Sequence, residues 1–340
     1  AFFFVSGIIK HNGRLLGVNC RVSKKEKSVT KRKGGHKMHP RNRNLERYQI
    51  PALVTCLPEL GAYVQPSKTG EDTIDFSSPN AVKLLNRALI LNDYGLQAWN
   101  FPDANLCPPV PGRADYLHHM ADLLRENQFG NIPRGPELHV LDVGVGATAI
   151  YPIVGIVEYG WSFVGCDIAK ESLESVRTIV EANASLQGLL KVREQTDPSC
   201  ILRGVISESD RFTFTMCNPP FHASAEEAAQ GTMRKTKNLS GGKASNPMLN
   251  FSGVHKELIY DGGEMRFIQT LIRESQNYAT NVFWFTTMVS KQSHLKVLYA
   301  TLKTVRPDEI RTIPMGTGNK STRILAWTFV PKEERKQWRC

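Results

Sequence analysis

Between Leu138 and Phe329 the sequence alternates regularly between β-prone and helical segments. Short apolar runs alternate with longer runs whose apolar residues recur every three to four positions, and these are the periodicities of strands and helices. The alternation predicts an α/β fold with a doubly wound, mostly parallel, seven-stranded sheet. The last two predicted strands have no helix between them, which indicates a terminal hairpin and an antiparallel edge. The predicted strands are 139–143, 161–166, 189–193, 211–216, 282–289, 310–314 and 323–329, and the predicted helices are 147–158, 169–182, 263–278 and 293–303.

The N-terminal region is distinguished by its charge. Residues 1–50 hold 13 Lys/Arg and two Asp/Glu, so this segment accounts for the whole net charge of +11. A basic arm on an electrically neutral body is typical of nucleic-acid binding through phosphates. A solvated tail or a targeting tail is the alternative.

The chain divides into four predicted segments. Residues 1–37 are expected to be a basic, disordered extension, because 20–37 contain almost nothing apolar to bury. Residues 38–130 are expected to be an N-terminal helical region that binds RNA, residues 131–332 the α/β domain, and residues 333–340 a tail. The helices predicted in the N-terminal region are 45–56, 79–91 and 113–126.

A compact group of cations and amides occupies residues 39–44. Arg41 and Arg43 could fork onto phosphates, and Asn42 could contact a phosphate or a base edge. A capped turn that leads into the next helix is compatible with the same residues.

A glycine-rich turn follows the first strand of the α/β domain and opens a helix. Gly144 and Gly146 permit a tight turn and a close approach of the backbone to a ligand. Asp167 lies 21 residues after Gly146, at the end of the next predicted strand, where a carboxylate can accept hydrogen bonds from a ribose. This pattern fits either a dinucleotide or S-adenosylmethionine. Thr148 replaces the third glycine of a dinucleotide turn, which favours S-adenosylmethionine.

The segment Asn218-Pro219-Pro220-Phe221 follows a β-prone run and therefore begins where a strand ends. Two consecutive prolines donate no N–H and hold the chain extended. The Asn218 side-chain oxygen and the Pro219 carbonyl could accept the two hydrogens of an exocyclic amine, while Phe221 stacks on the ring. Such a clamp favours methyl transfer to a planar amine over hydride transfer. A strand that ends in an ordinary Asn-Pro turn is the alternative.

Together these motifs resemble the class I S-adenosylmethionine-dependent methyltransferases, which have a Rossmann-like fold. Within that class the chain is similar to the bacterial RlmF family of 23S ribosomal RNA adenine-N6 methyltransferases. Relatives often have Glu at the position of Asp167, and residues 1–37 have no recognised counterpart. The resemblance runs from about residue 39 to residue 329 and rests on the segments 39–43, 108–116, 142–152, 218–221, 257–264 and 326–329.

The resemblance implies a role for each matched residue. Arg113 pairs with the methionine carboxylate of the cofactor, Gly144 and Thr148 line its amino acid end, and Asp167 holds its ribose. The predicted cofactor-binding set is Arg113, Asp142, Gly144, Gly146, Thr148, Asp167 and Asn218, and the predicted catalytic set is Asn218, Pro219, Pro220 and Phe221.

The predicted RNA-binding set contains Arg41, Asn42 and Arg43 together with three residues of the loop 231–245. This loop carries Arg234, Lys235 and Lys237 among Gly and Ser. It either closes over the RNA beside the methyl acceptor or is a surface loop that makes no contact.

The expected activity is methylation of an adenine N6 in large-subunit ribosomal RNA, within an assembly intermediate, by a monomeric cytoplasmic enzyme that uses no metal.

The seven scattered cysteines show no metal spacing, which indicates free thiols in a reducing cytosol. No apolar run approaches the roughly 20 residues of a membrane span. Three alternatives stay open: a protein glutamine-N5 methyltransferase with the same clamp, adenine-N6 methylation of another structured RNA, and a non-catalytic RNA-binding module.

Overall fold

The computed structural model describes residues 38–127, 129–224, 259–317 and 320–338. Its described residues belong to one compact unit. The strands are β1 (Val64–Pro66), β2 (Asp72–Ile74), β3 (His139–Val143), β4 (Ser162–Asp167), β5 (Leu190–Glu194), β6 (Phe212–Cys217), β7 (Val282–Val289), β8 (Glu309–Thr317) and β9 (Lys320–Thr328). The α-helices are α1 (Ile50–Cys56), α2 (Pro79–Tyr94), α3 (Val110–Arg125), α4 (Ile150–Tyr159), α5 (Lys170–Glu181), α6 (Gly263–Ser275) and α7 (Leu295–Val305).

The predicted doubly wound sheet is confirmed. Seven strands lie in the order β5-β4-β3-β6-β7-β9-β8. The strand β3 pairs in parallel with β4 and β6, whereas β9 runs antiparallel to β7 and β8 and forms the predicted terminal hairpin. After β3 the chain adds β4 and β5 on one side of that strand, and it then adds the remaining strands, beginning with β6, on the other side. The boundary between β3 and β6 is therefore the topological switch point, where open α/β sheets bind ligands.

Both faces of the sheet are covered, so its central strands are buried along their length. Every residue of β6 and β7 is buried. The buried apolar residues of α3, α4 and α5 form a core on one face, and those of α6 and α7 form a second core on the other. This explains the continuous apolar runs of β6 and β7, because a strand with two covered faces needs no polar alternation.

Element boundaries differ from the predictions by up to five residues, and one hairpin was not predicted. The first helix begins at Ile50, five residues later than expected, and Pro51 stands in its first turn. Proline lacks an N–H, so it fits the first turn of a helix but not its interior. The small antiparallel hairpin of β1 and β2 was not predicted, because its three-residue strands are largely polar and carry no clear period.

The division into segments 38–130 and 131–332 stays a prediction. None of the helices in the described ranges is long and apolar enough to cross a membrane.

Two histidines of α3 make stability depend on pH. Burial, with smaller contributions from the neighbouring His39 and Arg41, lowers the pKa of His118 from 6.5 to about 3 and that of His119 to about 4. The unfolded chain therefore binds more protons than the folded chain below pH 6.5. The stability that depends on this difference is complete above pH 6.5 and is lost as the pH falls.

Relative to the variant His118→Gln, which removes one of the two titrating groups, the unaltered protein is expected to lose about 2 kcal/mol of unfolding free energy between pH 7.5 and pH 5. The comparison is made between the two proteins because the buried carboxyl of Asp142, whose pKa is raised to about 8, changes stability in the opposite direction over the same range. Urea unfolding of both proteins at both pH values measures this difference. An equal change in unfolding free energy in the two proteins would contradict this explanation.

Candidate active site

Three neighbouring parallel strands end together at one edge of the sheet. Val143 of β3 is in register with Cys166 of β4 and with Cys217 of β6. The next residues along these strands are Gly144, Asp167 and Asn218. Because paired strands lie roughly 4.8 Å apart, residues that are distant in sequence become neighbours beside the switch point.

The glycine-rich turn presents its backbone to open space. Gly144 and Gly146 have φ angles of 76° and 62°, in the left-handed region that favours glycine. Apart from the glycine itself and its two chain neighbours, no described atom lies within 4 Å of the position that a Cβ would take at either residue. The N–H groups of Gly144 and Val145 donate to the Cys166 carbonyl at 2.9 and 3.0 Å, which fixes the turn over the end of β4.

Asp167 ties this turn to β4. Its Oδ2 accepts from the Gly146 N–H at 2.9 Å and its Oδ1 from the Ala169 N–H at 3.0 Å. Burial raises its pKa, and the backbone hydrogen bonds oppose that rise. Each carboxylate oxygen keeps a second lone pair for a ligand. The next residue, Ile168, places a 59% exposed aliphatic side chain beside this carboxylate. No role was predicted for it, because an aliphatic residue directly after a strand normally indicates core packing.

Asp142 is a buried carboxylate within β3. Neither of its oxygens has a hydrogen-bond partner among the described residues. Burial raises its pKa to about 8, the charge of Asp167 adds to the rise, and Arg113 opposes it. Burying a carboxylate without hydrogen bonds is costly, so this group is suited to a polar or cationic ligand.

The helix α3 contacts the site at two points. The Arg113 guanidinium carbon lies 5.6 Å from the centre of the Tyr151 ring, which stands at the start of α4. One turn further along α3, the Tyr116 hydroxyl lies 2.8 Å from Thr286 Oγ1 and accepts from the Cys217 N–H at 3.5 Å. No functional role was predicted for Tyr116 or Tyr151, because aromatic residues inside helical segments normally indicate core packing.

The segment after β6 contains a hydrogen-bond acceptor that has no partner among the described residues. Asn218 is partly exposed, but its Oδ1 is buried and has no hydrogen-bond partner within the described residues. Pro219 is buried, while Pro220 and Phe221 are partly buried. Thr148 is 6% exposed, and its carbonyl accepts from the Trp99 indole N–H at 2.8 Å.

A short bridge holds the chain just beyond this segment. His222 pairs in parallel with Ile259, and the Tyr260 N–H donates to the His222 carbonyl at 3.1 Å. Residues 225–258 lie outside the described part of the chain, and with them the predicted RNA-binding residues Arg234, Lys235 and Lys237.

The segment His39–Asn44, which we call the N-terminal strap, packs on the protein. Asn42 is 3% exposed, and its Nδ2 donates to the Pro111 carbonyl at 2.7 Å and to Asp115 Oδ1 at 2.5 Å. Its Oδ1 accepts from the Asn44 N–H at 2.9 Å. The amide is therefore engaged inside the protein at both ends, as expected for the alternative of a capped turn, and RNA contact by Asn42 stays a prediction.

Arg41 and Arg43 are also paired within the protein. Arg41 Nη1 lies 2.9 Å from Asp122 Oδ1, and Arg43 Nε lies 2.6 Å from Glu158 Oε1. Their side chains are 30% and 40% exposed, so each retains a solvent-facing part. RNA contact by these two arginines stays a prediction.

Comparison with known proteins identifies the family. A family model described as RNA methyltransferase matches residues 32–331. The chain is 48% identical over 316 residues to ribosomal RNA large subunit methyltransferase F of Cytophaga hutchinsonii. The aligned region covers 93% of this chain and 97% of that protein. The chain belongs to this RNA methyltransferase family. The protein of the same name from Flavobacterium johnsoniae is 49% identical to it over 304 residues, covering 89% and 96% of the two chains.

Solved structures agree with this membership. The catalytic domain of human METTL16, in complex with hairpin 1 of the MAT2A 3′UTR, superposes with a TM-score of 0.72 at 28% identity and covers 87% of this RNA methyltransferase and 96% of that chain. The N-terminal domain of human METTL16 in complex with SAH gives a TM-score of 0.66 at 25% identity and covers 86% and 99% of the two chains.

The site residues of this RNA methyltransferase fit S-adenosylmethionine. The open side of the glycine turn leaves room for a ligand, and the unpartnered Asp142 and the oxygens of Asp167 supply acceptors. Arg113 supplies a cation beside them. Among the described residues, no group of three or more His, Cys, Asp and Glu side chains could hold a metal ion.

Proposed function

We propose that this RNA methyltransferase methylates N6 of an adenine in large-subunit ribosomal RNA, in the cytoplasm. The observation that carries the proposal is the buried, unpartnered Oδ1 of Asn218, one strand away from Gly144 at the switch point. An exocyclic amine supplies the donor that this acceptor lacks. The names of the bacterial relatives support ribosomal RNA as the substrate.

The cofactor-binding residues act by orientation. S-adenosylmethionine supplies an electrophilic methyl group on a sulfonium centre. Arg113 binds the methionine carboxylate, the turn of Gly144 and Gly146 lines the amino acid end with Asp142 beneath it, and Asp167 accepts from the ribose hydroxyls. Orientation of reacting groups is worth effective molarities of about 10⁵–10⁸ M in favourable cases.

The clamp residues prepare the adenine amine, which is a weak nucleophile because its lone pair delocalises into the ring. The Asn218 Oδ1 and the Pro219 carbonyl accept its two N–H groups, which localises the lone pair on nitrogen and directs it toward the methyl group. As the N–C bond forms, the C–S bond breaks, and the methylated nitrogen then loses one proton to solvent. Stacking on Phe221 contributes about 1–3 kcal/mol to binding of the base.

The acceptor adenine must expose its amine to Asn218 and Pro219 and one face of its ring to Phe221. An unpaired or flipped base satisfies this condition, at a cost of a few kcal/mol if it starts within a duplex. This requirement supports an RNA substrate presented in a ribosomal assembly intermediate. We further propose that the enzyme acts as a monomer, and that the basic residues 1–37 with Arg41 and Arg43 contact RNA phosphates.

Incubation with S-adenosylmethionine labelled in the methyl group tests the proposed function. Large-subunit ribosomal RNA isolated from cells that lack the protein is expected to acquire label in N6-methyladenine. Incorporation into protein glutamine instead would support the alternative methyltransferase, since a side-chain amide also fits the clamp. Label in another structured RNA but not in ribosomal RNA would contradict the proposed substrate.

The buried Asp142 predicts a pH dependence for cofactor binding. Because its pKa is raised to about 8, it keeps its proton in the cofactor-free protein at neutral pH. Positive charge on the ligand favours the ionised form, so binding should release this proton. Affinity for S-adenosylmethionine is then expected to rise between pH 6 and pH 7.5, by up to about tenfold per pH unit.

Calorimetry in two buffers of different ionisation enthalpy measures both the affinity and the number of protons released. Asp142→Asn removes the titrating group while preserving the size of the side chain, and its affinity should lose this slope. A flat profile in the unaltered protein would show that Asp142 is not coupled to the ligand.

A further inference from the structure

The N-terminal strap lies against α3 on both sides of Arg113. Asn42 Nδ2 donates to the carbonyl of Pro111, two residues before Arg113, at 2.7 Å, and to Oδ1 of Asp115, two residues after it, at 2.5 Å. The His39 N–H donates to the same Asp115 oxygen at 3.1 Å. One side chain of the strap therefore spans the turn of helix that presents Arg113.

These contacts are buried and use a carboxylate. Asp115 is fully buried, and its second oxygen has no hydrogen-bond partner among the described residues. Burial raises its pKa, while the hydrogen bonds from Asn42 and His39 oppose that rise. The strap donors thus stabilise the charged form of Asp115, and hydrogen bonds to charged groups are among the stronger ones in proteins.

The strap also holds the rest of α3. Arg41 Nη2 donates to the His118 carbonyl at 2.7 Å, and His39 Nε2 lies 2.8 Å from Asp122 Oδ2. These contacts lie about one and a half to two and a half turns beyond Arg113, so they fix where the helix lies. Within the strap, Asn42 is the residue whose described hydrogen bonds reach the first turn of α3, through the Pro111 carbonyl.

The start of α3 has few other hydrogen bonds among the described residues. Its N-cap residue, Pro109, makes no side-chain capping hydrogen bond. The Val110 N–H donates to Asn86 Oδ1 at 2.9 Å. The hydrogen bonds of Asn42 with Pro111 and Asp115 therefore add directional contacts to a turn that is otherwise held mainly by packing of buried residues such as Val110 and Ala114.

We infer that Asn42 is a positioning residue for methyl transfer, which fixes the first turns of α3 so that Arg113 meets the cofactor carboxylate. The inference rests on the proposed role of Arg113. It gives the amide between two arginines an internal role, because its Nδ2 donates to both Pro111 and Asp115.

A double-mutant cycle on Asn42 and Arg113 tests this inference, with S-adenosylhomocysteine as the probe and no RNA present. Asn42→Ala is expected to weaken binding about tenfold, the equivalent of one charge-assisted hydrogen bond. Asn42→Ser keeps one donor and should lose less. In the Arg113→Ala background, Asn42→Ala should cause no further loss beyond about twofold, because the residue through which it acts is gone.

Asn44→Ala is the matched control. It removes the same kind of side chain from the same strap, but its Nδ2 contacts Asp93 Oδ2 at 3.2 Å and not α3. It is expected to lower the melting temperature while leaving the affinity for S-adenosylhomocysteine within about twofold. If Asn42→Ala does not fold, Asn42→Ser carries the same cycle.

Unchanged affinity in Asn42→Ala, or losses that add fully with Arg113→Ala, would overturn the inference. A purely structural role predicts the additive result. Because no RNA enters the binding measurement, its outcome is independent of which nucleotide is methylated. Failure of the ribosomal RNA assay and failure of this cycle are therefore distinguishable.

Discussion

Asn218→Ala is expected to lower the rate of methyl transfer by about 100- to 1,000-fold, the loss seen when one preorganised polar contact to a reacting centre is removed. The side-chain Oδ1 is buried and unpartnered within the described residues, so no neighbour replaces it as an acceptor. Without it, the adenine amine keeps only the Pro219 carbonyl and loses its fixed direction. Single-turnover kinetics with saturating cofactor measures the change.

The cofactor affinity of this variant provides the control. Asn218 stands at the substrate side of the site, so binding of S-adenosylmethionine should change by less than about threefold. Asn218→Asp keeps an acceptor oxygen in the same place and should retain more activity than the alanine variant. Full turnover in Asn218→Ala would show that the clamp does not hold the amine.

Asp167→Ala is expected to weaken S-adenosylmethionine binding by at least about 100-fold. The substitution removes two carboxylate acceptors for the ribose hydroxyls, each worth about 1.5–3 kcal/mol when charged. It also removes the bond between Oδ2 and the Gly146 N–H, at 2.9 Å, which holds the glycine turn over β4. Isothermal calorimetry with cofactor alone measures this loss.

Asp167→Glu is the matched variant, since it keeps the carboxylate and changes only its reach. It should bind the cofactor far more tightly than the alanine variant. An unchanged dissociation constant in Asp167→Ala would exclude a ribose contact. An equal loss of cofactor affinity in Asp167→Ala and Asp167→Glu would show that the effect comes from the glycine turn that Asp167 holds and not from a contact with the ribose.

The parts of the site that follow from strand order could be predicted from the sequence. Gly144, Asp167 and Asn218 each stand directly after a β-prone run, and the alternating pattern makes those strands parallel. Parallel strands that share a register must end at the same edge, so the three residues become neighbours without any knowledge of side-chain packing. The register itself was not predicted, and the observed pairs of Val143 with Cys166 and Cys217 supply it.

The strap could not be predicted in this way. Arg41, Asn42 and Arg43 have the composition of a phosphate-binding segment, and their partners Asp115, Asp122 and Glu158 are 73 to 115 residues away in the sequence. Nothing local distinguishes an arginine that faces RNA from one that faces a buried acid. The same holds for Tyr116, whose contact with Cys217 depends on how α3 crosses the sheet.

Mass-spectrometric mapping of large-subunit ribosomal RNA tests whether Asn218 and its neighbours methylate one of its adenines. RNA from cells without the protein should lack one N6-methyladenine that is present in normal cells. The unaltered protein should restore it, whereas Asn218→Ala should not. An identical set of modified adenines with and without the protein would contradict the claim.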